Sequence, residues 1–77
     1  SMSVVMKPGK FYKDRNGFYW CCFKIVADQA SCVRVVDSRI ESFYLDGRYD
    51  ISGKREHTLV KAVAAPRTFD PKTVMRV

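Results

Sequence analysis

Two short turn signals, Asn16-Gly17 and Asp46-Gly47, most strongly limit the fold that this sequence can adopt. Each stands between segments rich in aromatic and β-branched residues, and such dipeptides favour tight hairpins because glycine tolerates a positive φ. We therefore predict a type I′ turn at Asn16-Gly17 and a second two-residue hairpin at Asp46-Gly47. Polar turns are also predicted at residues 28–31 and 53–56. This spacing of turns is typical of a small antiparallel meander.

The segments between these turns have the composition of β-strands, and no longer window has convincing helical periodicity. Strands are predicted at residues 10–15, 18–27, 32–36, 40–45, 48–52 and 57–63. Five or six short strands predict an all-β, partly open barrel of the SH3-like kind, with an OB-like barrel as the alternative. Closure into a barrel would also protect the sheet edges.

The chain has 77 residues, which is enough for one domain with a small core. We predict a β-barrel domain over residues 2–63 and a C-terminal tail over residues 64–77. Pro66 and Pro71 exclude the tail from a central strand, because proline has no amide hydrogen to donate. Asp70 before Pro71 has the form of a helix N-cap, so we expect an irregular tail or a single helical turn.

Positive charge is concentrated towards the two ends of the sequence. The chain carries 14 Lys and Arg against 8 Asp and Glu, and its middle part is close to neutral. If both ends lie side by side in the fold, one face becomes strongly basic and would attract nucleic acid or an acidic protein. A solvated basic surface without a partner is the alternative, because charge alone is not specific.

The 4 Tyr, 5 Phe and 1 Trp are more aromatic side chains than a small barrel can bury. Alternation predicts that Tyr12 and Tyr19 share a face with Lys10, where rings between cations would stack unpaired bases while Lys and Arg contact phosphates. The predicted nucleic-acid site consists of Lys10, Tyr12, Lys13, Arg15, Tyr19, Lys54, Arg55 and Lys61. Two alternatives stay open. The rings could shield the sheet as cross-strand pairs, or they could form a protein-binding surface that includes Trp20, Tyr44, Tyr49 and Phe69.

The 3 Cys and 1 His do not form a catalytic pattern. Cys21, Cys22 and Cys32 lack the spacing of a disulfide framework, so we interpret them as small buried residues of a protein from a reducing compartment. A zinc site at Cys22, Cys32 and His57 is the alternative. The sequence contains neither a phosphate-binding glycine loop nor a nucleophile elbow. We therefore expect no enzyme activity, no cofactor and no metal.

The hydrophobic segments are too short for a membrane protein. No apolar run approaches the roughly 18 residues that a membrane span needs, and residues 2–6 are too few for a signal peptide. We expect a cytoplasmic protein without a membrane partner. A homodimer that shares an exposed edge strand or the tail stays an open alternative.

Two sets of motifs resemble known protein classes. Residues 8–17 (PGKFYKDRNG), 43–49 (FYLDGRY) and Leu59-Val60 resemble a loose class of small proteins encoded by tailed phages and prophages. That resemblance covers about residues 8–63 and implies an accessory role in the cytoplasm of the host cell, commonly on host machinery. Residues 16–21 and 32–37 are similar to the first two core strands of Tudor-type barrels, which supports the barrel prediction.

These observations together predict a binding module that engages nucleic acid or a host nucleic-acid-processing protein through a basic, aromatic face. The alternative is an inhibitor of a host protein, or an oligomeric interaction module, that uses the aromatic surface and the tail.

Overall fold

The structure, a computed structural model, describes residues 4–67. Five antiparallel strands form one sheet that curls into a half-barrel: β1 (Phe11–Asp14), β2 (Tyr19–Val26), β3 (Gln29–Arg34), β4 (Ile40–Tyr44) and β5 (Leu59–Val63). Their order in the sheet is β4-β3-β2-β1-β5, and residues 4–67 contain no helix. The all-β prediction is therefore confirmed. The helical turn predicted after Asp70 lies outside the described residues.

Both predicted glycine hairpins form, but their loops have three residues. The Asp14 amide donates to the Phe18 carbonyl at 2.9 Å, and the Gly17 amide donates to the Asp14 carbonyl at 3.0 Å. In this loop only Gly17 has a positive φ, 87°. A type I′ turn would require a positive φ at Asn16 as well, so that prediction is wrong. A type I turn followed by a left-handed glycine uses the same residues.

The loop before Arg48 repeats this arrangement. The Tyr44 amide donates to the Arg48 carbonyl and the Gly47 amide donates to the Tyr44 carbonyl, both at 2.9 Å. Gly47 has a φ of 90°. The prediction of a hairpin at this glycine is confirmed, and the prediction of a two-residue loop is wrong.

Two other predicted boundaries differ from the structure. β3 already begins at Gln29, so the turn before it consists of Ala27 and Asp28, and Ala27 adopts a φ of 53° that alanine rarely takes. The strand predicted at residues 48–52 is absent, since residues 45–58 form turns, bends and irregular chain. This segment is rich in short polar residues and glycine, which favour turns over a strand.

Hydrophobic side chains pack on both faces of the sheet. The inner, concave face carries the larger cluster, in which the largest fully buried side chains are Trp20, Tyr12 and Phe43. The outer face carries a smaller cluster of Phe11, Cys21 and Val33. Because side chains alternate along a strand, the two clusters come from neighbouring positions of the same strands.

The pairing of β5 with β1 brings the first and last thirds of the sequence together. Lys61 lies opposite Lys13, and Ala62 lies opposite Tyr12. At the other end of the curled sheet, the Leu59 amide donates to the Gly47 carbonyl at 2.8 Å, so the beginning of β5 also meets the loop after β4. The assumption that both charged ends lie side by side is confirmed for β1 and β5.

Candidate functional site

A buried carboxylate fixes the hairpin that carries the candidate site. Asp14 is 2% exposed, and its Oδ1 accepts hydrogen bonds from the amides of Asn16 and Phe18, both at 2.9 Å. Its Oδ2 accepts from the indole N–H of Trp20 at 2.8 Å. These bonds hold the end of β1 against the core, and alternation then places Lys13 on the outer face.

A row of three side chains crosses the outer face of the sheet. Lys61 of β5, Lys13 of β1 and Tyr19 of β2 are successive register partners. Neighbouring strands lie about 4.8 Å apart, so the row spans about 10 Å. The Lys13 ammonium lies 5.5 Å from the centroid of the half-buried Tyr19 ring. We name these three residues the basic row.

Two further cations are associated with the hairpin loop that follows Lys13, the middle residue of the basic row. Arg15 follows β1 in the hairpin loop, and its guanidinium donates to the Gly53 carbonyl at 3.3 Å. This bond places Arg15 beside the loop in which Lys54 follows Gly53. Glu56 of the same loop accepts a hydrogen bond from the Asn16 side-chain amide at 3.2 Å. These two hydrogen bonds join the first hairpin loop to the loop that carries Lys54, which adds two cations and one carboxylate to this part of the molecule.

The carboxylates of the structure neutralise arginines and leave the lysines unpaired. Four arginines form ion pairs with acidic neighbours: Arg34 with Asp37, Arg39 with Glu41, Arg48 with Asp46, and Arg55 with Asp50. Within residues 4–67, no lysine has a carboxylate oxygen within 4.0 Å. The net positive charge of the described chain therefore resides mainly on lysine side chains.

The structure removes Tyr12 from the predicted site. Tyr12 is 1% exposed, and its hydroxyl donates to the Val5 carbonyl at 3.0 Å and accepts from the Lys7 amide at 2.8 Å. Burial raises the pKa of the Tyr12 hydroxyl, against the opposing effect of the Lys7 amide. Tyr12 lies opposite Trp20 on the inner face, whereas Tyr19 is on the outer face. The prediction that both tyrosines share a face is wrong.

Lys10 and Arg55 are also separate from the basic row. Lys10 lines a groove with Lys7 and Tyr12, away from Tyr19. The Arg55 guanidinium lies 5.4 Å from the Tyr49 ring centroid and 3.8 Å from the Asp50 carboxylate. Of the predicted nucleic-acid residues, the structure thus brings together Lys13, Tyr19 and Lys61, while Arg15 follows β1 and is bonded to the loop that contains Lys54.

The residues of the alternative protein-binding surface are mostly engaged within the fold. Trp20 is completely buried, so its predicted role in an interface is wrong. The Tyr49 hydroxyl donates to Glu41 at 3.0 Å, and this hydrogen bond raises the Tyr49 pKa. The Arg48 guanidinium covers the Tyr44 ring at 5.3 Å. Phe69 lies outside the described residues.

No local pattern in the sequence indicates that His57 is buried. The imidazole is 8% exposed, and its ring centroid lies 5.9 Å from that of Trp20 and 5.3 Å from that of Tyr49. Its Nδ1 is buried without a hydrogen-bond partner. Since apolar rings surround it on two sides, this histidine serves the core packing and offers no exposed base.

The three cysteines are buried as free thiols. Burial raises the pKa of Cys21 to about 11. Cys22 and Cys32 lie opposite each other on β2 and β3, and a hydrogen bond between their side chains, together with burial, raises the pKa of Cys32. In residues 4–67, no group of three or more His, Cys, Asp or Glu side chains is placed to hold a metal ion.

Comparison with known proteins identifies no relative. No protein-family model, no curated protein and no solved structure matches this chain. Over the described range, no helix is long and apolar enough to cross a membrane. The resemblance to small phage proteins therefore stays a prediction, and the geometry of the site has to support any functional interpretation.

Proposed function

We propose that this protein is a non-enzymatic binding module that engages single-stranded nucleic acid through the basic row, Arg15 and Lys54. The observation that supports this proposal most is the direct pairing of Lys13 with Lys61 across β1 and β5. Like charges directly opposite each other destabilise a sheet. No carboxylate in residues 4–67 pairs with either lysine. A bound anion would relieve this repulsion, and local violations of stability rules are expected at functional sites.

The spacing of the cations fits a phosphate backbone. Lys13 and Lys61 come from adjacent strands, so their ammonium groups can reach neighbouring phosphates of one strand. Arg15 and Lys54 would contact the same strand outside the row. Four other arginines, Arg34, Arg39, Arg48 and Arg55, already have carboxylate partners and contribute less.

The position of Tyr19 favours single-stranded over double-stranded nucleic acid as the ligand. Its half-buried ring lies on the outer face beside Lys13, so one ring surface can stack on an unpaired base. Such stacking contributes about 1–3 kcal/mol per base in other proteins and requires a base that is not already stacked in a duplex. With Tyr12 buried, the proposed surface offers one stacking position.

The strand order supports an SH3-like description of the half-barrel. Strands β1 to β4 form a meander, and β5 returns to pair with β1, as expected for this class of small barrel. We propose that the protein acts in the host cytoplasm as a phage- or prophage-type accessory protein, on the strength of the hairpin motifs at residues 8–17 and 43–49. Fold alone does not supply this role, so the proposal depends on the binding test.

Salt-dependent binding to a fluorescein-labelled single strand of about 20 nucleotides tests the proposal. For single strands, the slope of log K against log salt changes by about 0.7 per phosphate contact, so the double variant Lys13→Gln/Lys61→Gln should flatten the slope by about 1.4. Tyr19→Ala should weaken binding by about 1–3 kcal/mol with an unchanged slope. Undetectable binding at about 50 mM salt would end the proposal, because electrostatic binding is strongest there.

Lys24→Gln is the matched control for these variants. Lys24 is exposed and unpaired on β2, but it does not belong to the basic row. Its replacement removes one positive charge, half of what the double variant removes, and should change the slope by well under one phosphate contact. A slope change in Lys24→Gln that equals half of the change in the double variant would show that binding depends on net charge alone.

A groove beside β4 supports a second candidate function, protein binding. Tyr44, Tyr49 and Ile51 line a groove of about 440 Å³, and Ile51 is 78% exposed. A protein that buries Ile51 would bind mainly through apolar contact and would respond little to salt. Loss of binding in Ile51→Asp together with salt-insensitive affinity would favour this function over nucleic-acid binding.

A further inference from the structure

We propose that a second site, separate from the basic row, binds an extended acidic peptide beside the end of β5. The site is a surface groove of about 530 Å³. Val5 and Lys7 of the N-terminal segment form one side, Lys10 directly before β1 and Tyr12 of β1 also line the groove, and residues 62–64 form the remaining side. We name it the lysine groove. Lys13 and Lys61 do not line it.

Internal hydrogen bonds hold the N-terminal side of the lysine groove in place. The Tyr12 hydroxyl donates to the Val5 carbonyl and accepts from the Lys7 amide, at 3.0 and 2.8 Å. The Met6 amide donates to the Leu45 carbonyl at 3.0 Å, and the Met6 side chain is 4% exposed. The wall that carries Lys7 is therefore attached to the core, and a ligand would meet a largely formed site.

The charge of the lysine groove selects an anionic partner. Lys7 and Lys10 are both exposed, neither has a carboxylate within 4.0 Å in the described structure, and no acidic residue lines the groove. Val5, Ala62 and Val63 add apolar surface to the same groove. The fitting ligand therefore alternates carboxylates with apolar groups, as an extended peptide does when acidic and aliphatic residues alternate.

The sheet edge favours a peptide over a nucleotide. In the described sheet β5 pairs with β1 alone, and its outer edge donates to another segment only through Leu59. Residues 60–63 thus offer main-chain groups to an added strand, and the small side chain of Ala62 leaves these groups accessible. A nucleotide would gain nothing from that edge. The one ring in the groove, Tyr12, is 1% exposed and provides no surface for stacking.

Fluorescence polarisation with defined peptides tests this proposal on the full chain. The probe is a labelled, acetylated octapeptide of alternating Glu and Val, compared with a Lys-Val version and with a Glu-Val version that is N-methylated at alternate amides. We expect binding of the first peptide only, since the second has the wrong charge and the third cannot add to the edge. The double variant Lys7→Gln/Lys10→Gln should weaken binding about tenfold. Lys24→Gln, which lies outside the groove, should not change it.

Two further variants, measured in the same assay, distinguish peptide binding in the lysine groove from binding to the basic row. Ala62→Glu places a carboxylate in the groove at an exposed position and should abolish binding of the Glu-Val peptide. The single variant Lys13→Gln, which belongs to neither the groove nor the β5 edge, should leave peptide binding unchanged, whether or not the protein binds oligonucleotides. Absence of peptide binding up to about 1 mM, equal binding of the N-methylated peptide, or equal binding by the Lys7→Gln/Lys10→Gln variant would each overturn the proposal. Displacement of the peptide by an oligonucleotide in Lys13→Gln/Lys61→Gln would also overturn it, by assigning the groove to nucleic acid.

Discussion

Replacement of Gly47 by alanine should destabilise the protein far more than replacement of Gly17. The two glycines have nearly the same backbone conformation, with φ values of 90° and 87°. Their surroundings differ. A Cβ on Gly47 would lie 2.5 Å from Cγ2 of Val4 and 2.8 Å from the carbonyl oxygen of Leu59, whereas the nearest atom at Gly17 is Cε of Lys13 at 3.8 Å.

Both substitutions lower the stability because alanine is strained at a positive φ. At Gly47 the close contacts of the new Cβ lower the stability further. A side chain in the left-handed region costs about 1–2 kcal/mol, which is our expectation for Gly17→Ala. The Leu59 carbonyl belongs to the backbone and cannot rotate away, so Gly47→Ala must also shift the junction between β4 and β5. Such overpacking adds about 1–3 kcal/mol, for a total of about 2–5 kcal/mol.

Urea unfolding followed by the fluorescence of Trp20, which is buried and is the only tryptophan, measures both variants. If Gly47→Ala is too unstable to measure, Val4→Ala/Gly47→Ala removes the nearest side-chain contact and should recover part of the loss. Equal free energies of unfolding for Gly47→Ala and Gly17→Ala would refute the reasoning. That result would mean that Val4 and Leu59 do not pack against the Gly47 loop.

Two further predictions concern carboxylates. Asp14→Asn should turn an amide donor towards the buried indole N–H of Trp20 and lower the free energy of unfolding by about 2–3 kcal/mol. Asp46→Asn, which alters an exposed ion pair, should lower it by less than about 1 kcal/mol in the same urea assay. Equal losses in the two variants would contradict this ranking. The hydrogen bond from Arg34 lowers the pKa of Asp37 to about 2. The ionised Asp37 carboxylate therefore stabilises the folded protein at pH values above its unfolded pKa of about 3.9, and this stabilisation is lost as the pH falls towards about 2. An NMR titration of the Asp37 carboxyl should give this low midpoint, and Arg34→Gln should return it towards about 3.9; a midpoint unaffected by Arg34→Gln would exclude the proposed cause.

The sequence was sufficient to predict the five observed strands and the sites of the main hairpins, although β3 begins three residues earlier than predicted. Local residue preferences determine these features, and the positive φ of Gly17 and Gly47 agrees with the turn signals. The predicted strand at residues 48–52 was wrong because alternation after Gly47 is outweighed by the turn-forming residues that follow.

The error at Tyr12 arises from one residue in the first hairpin loop. A two-residue loop at Asn16-Gly17 would place Tyr12 opposite Cys21, on the same face as Tyr19. The observed three-residue loop places Tyr12 opposite Trp20 instead. A shift of one residue moves every side chain of a strand to the other face, so the predicted faces of the β1 side chains relative to Tyr19 depended on this loop.

Contacts between distant parts of the chain could not be predicted from local patterns. The pairing of Lys13 with Lys61 requires the register of β1 and β5, which includes a bulge near Asp14. The same limit applies to the burial of His57 between Trp20 and Tyr49, because three separate segments form that environment. The sequence showed that positive charge is concentrated towards its two ends. It could not show that carboxylates pair with arginines and leave the lysines unpaired.

The return of β5 to β1 also determines when the basic row comes into existence as the chain is synthesised. Hairpins such as β1–β2 form within about 1–10 µs, and pairing of segments far apart in sequence is slower. A nascent chain that ends before β5 can therefore display Lys13 and Tyr19, but Lys61 cannot yet stand beside them. Binding through this row would then depend on completed folding, and a partner would bind a copy that lacks a paired β5 more weakly than the folded protein.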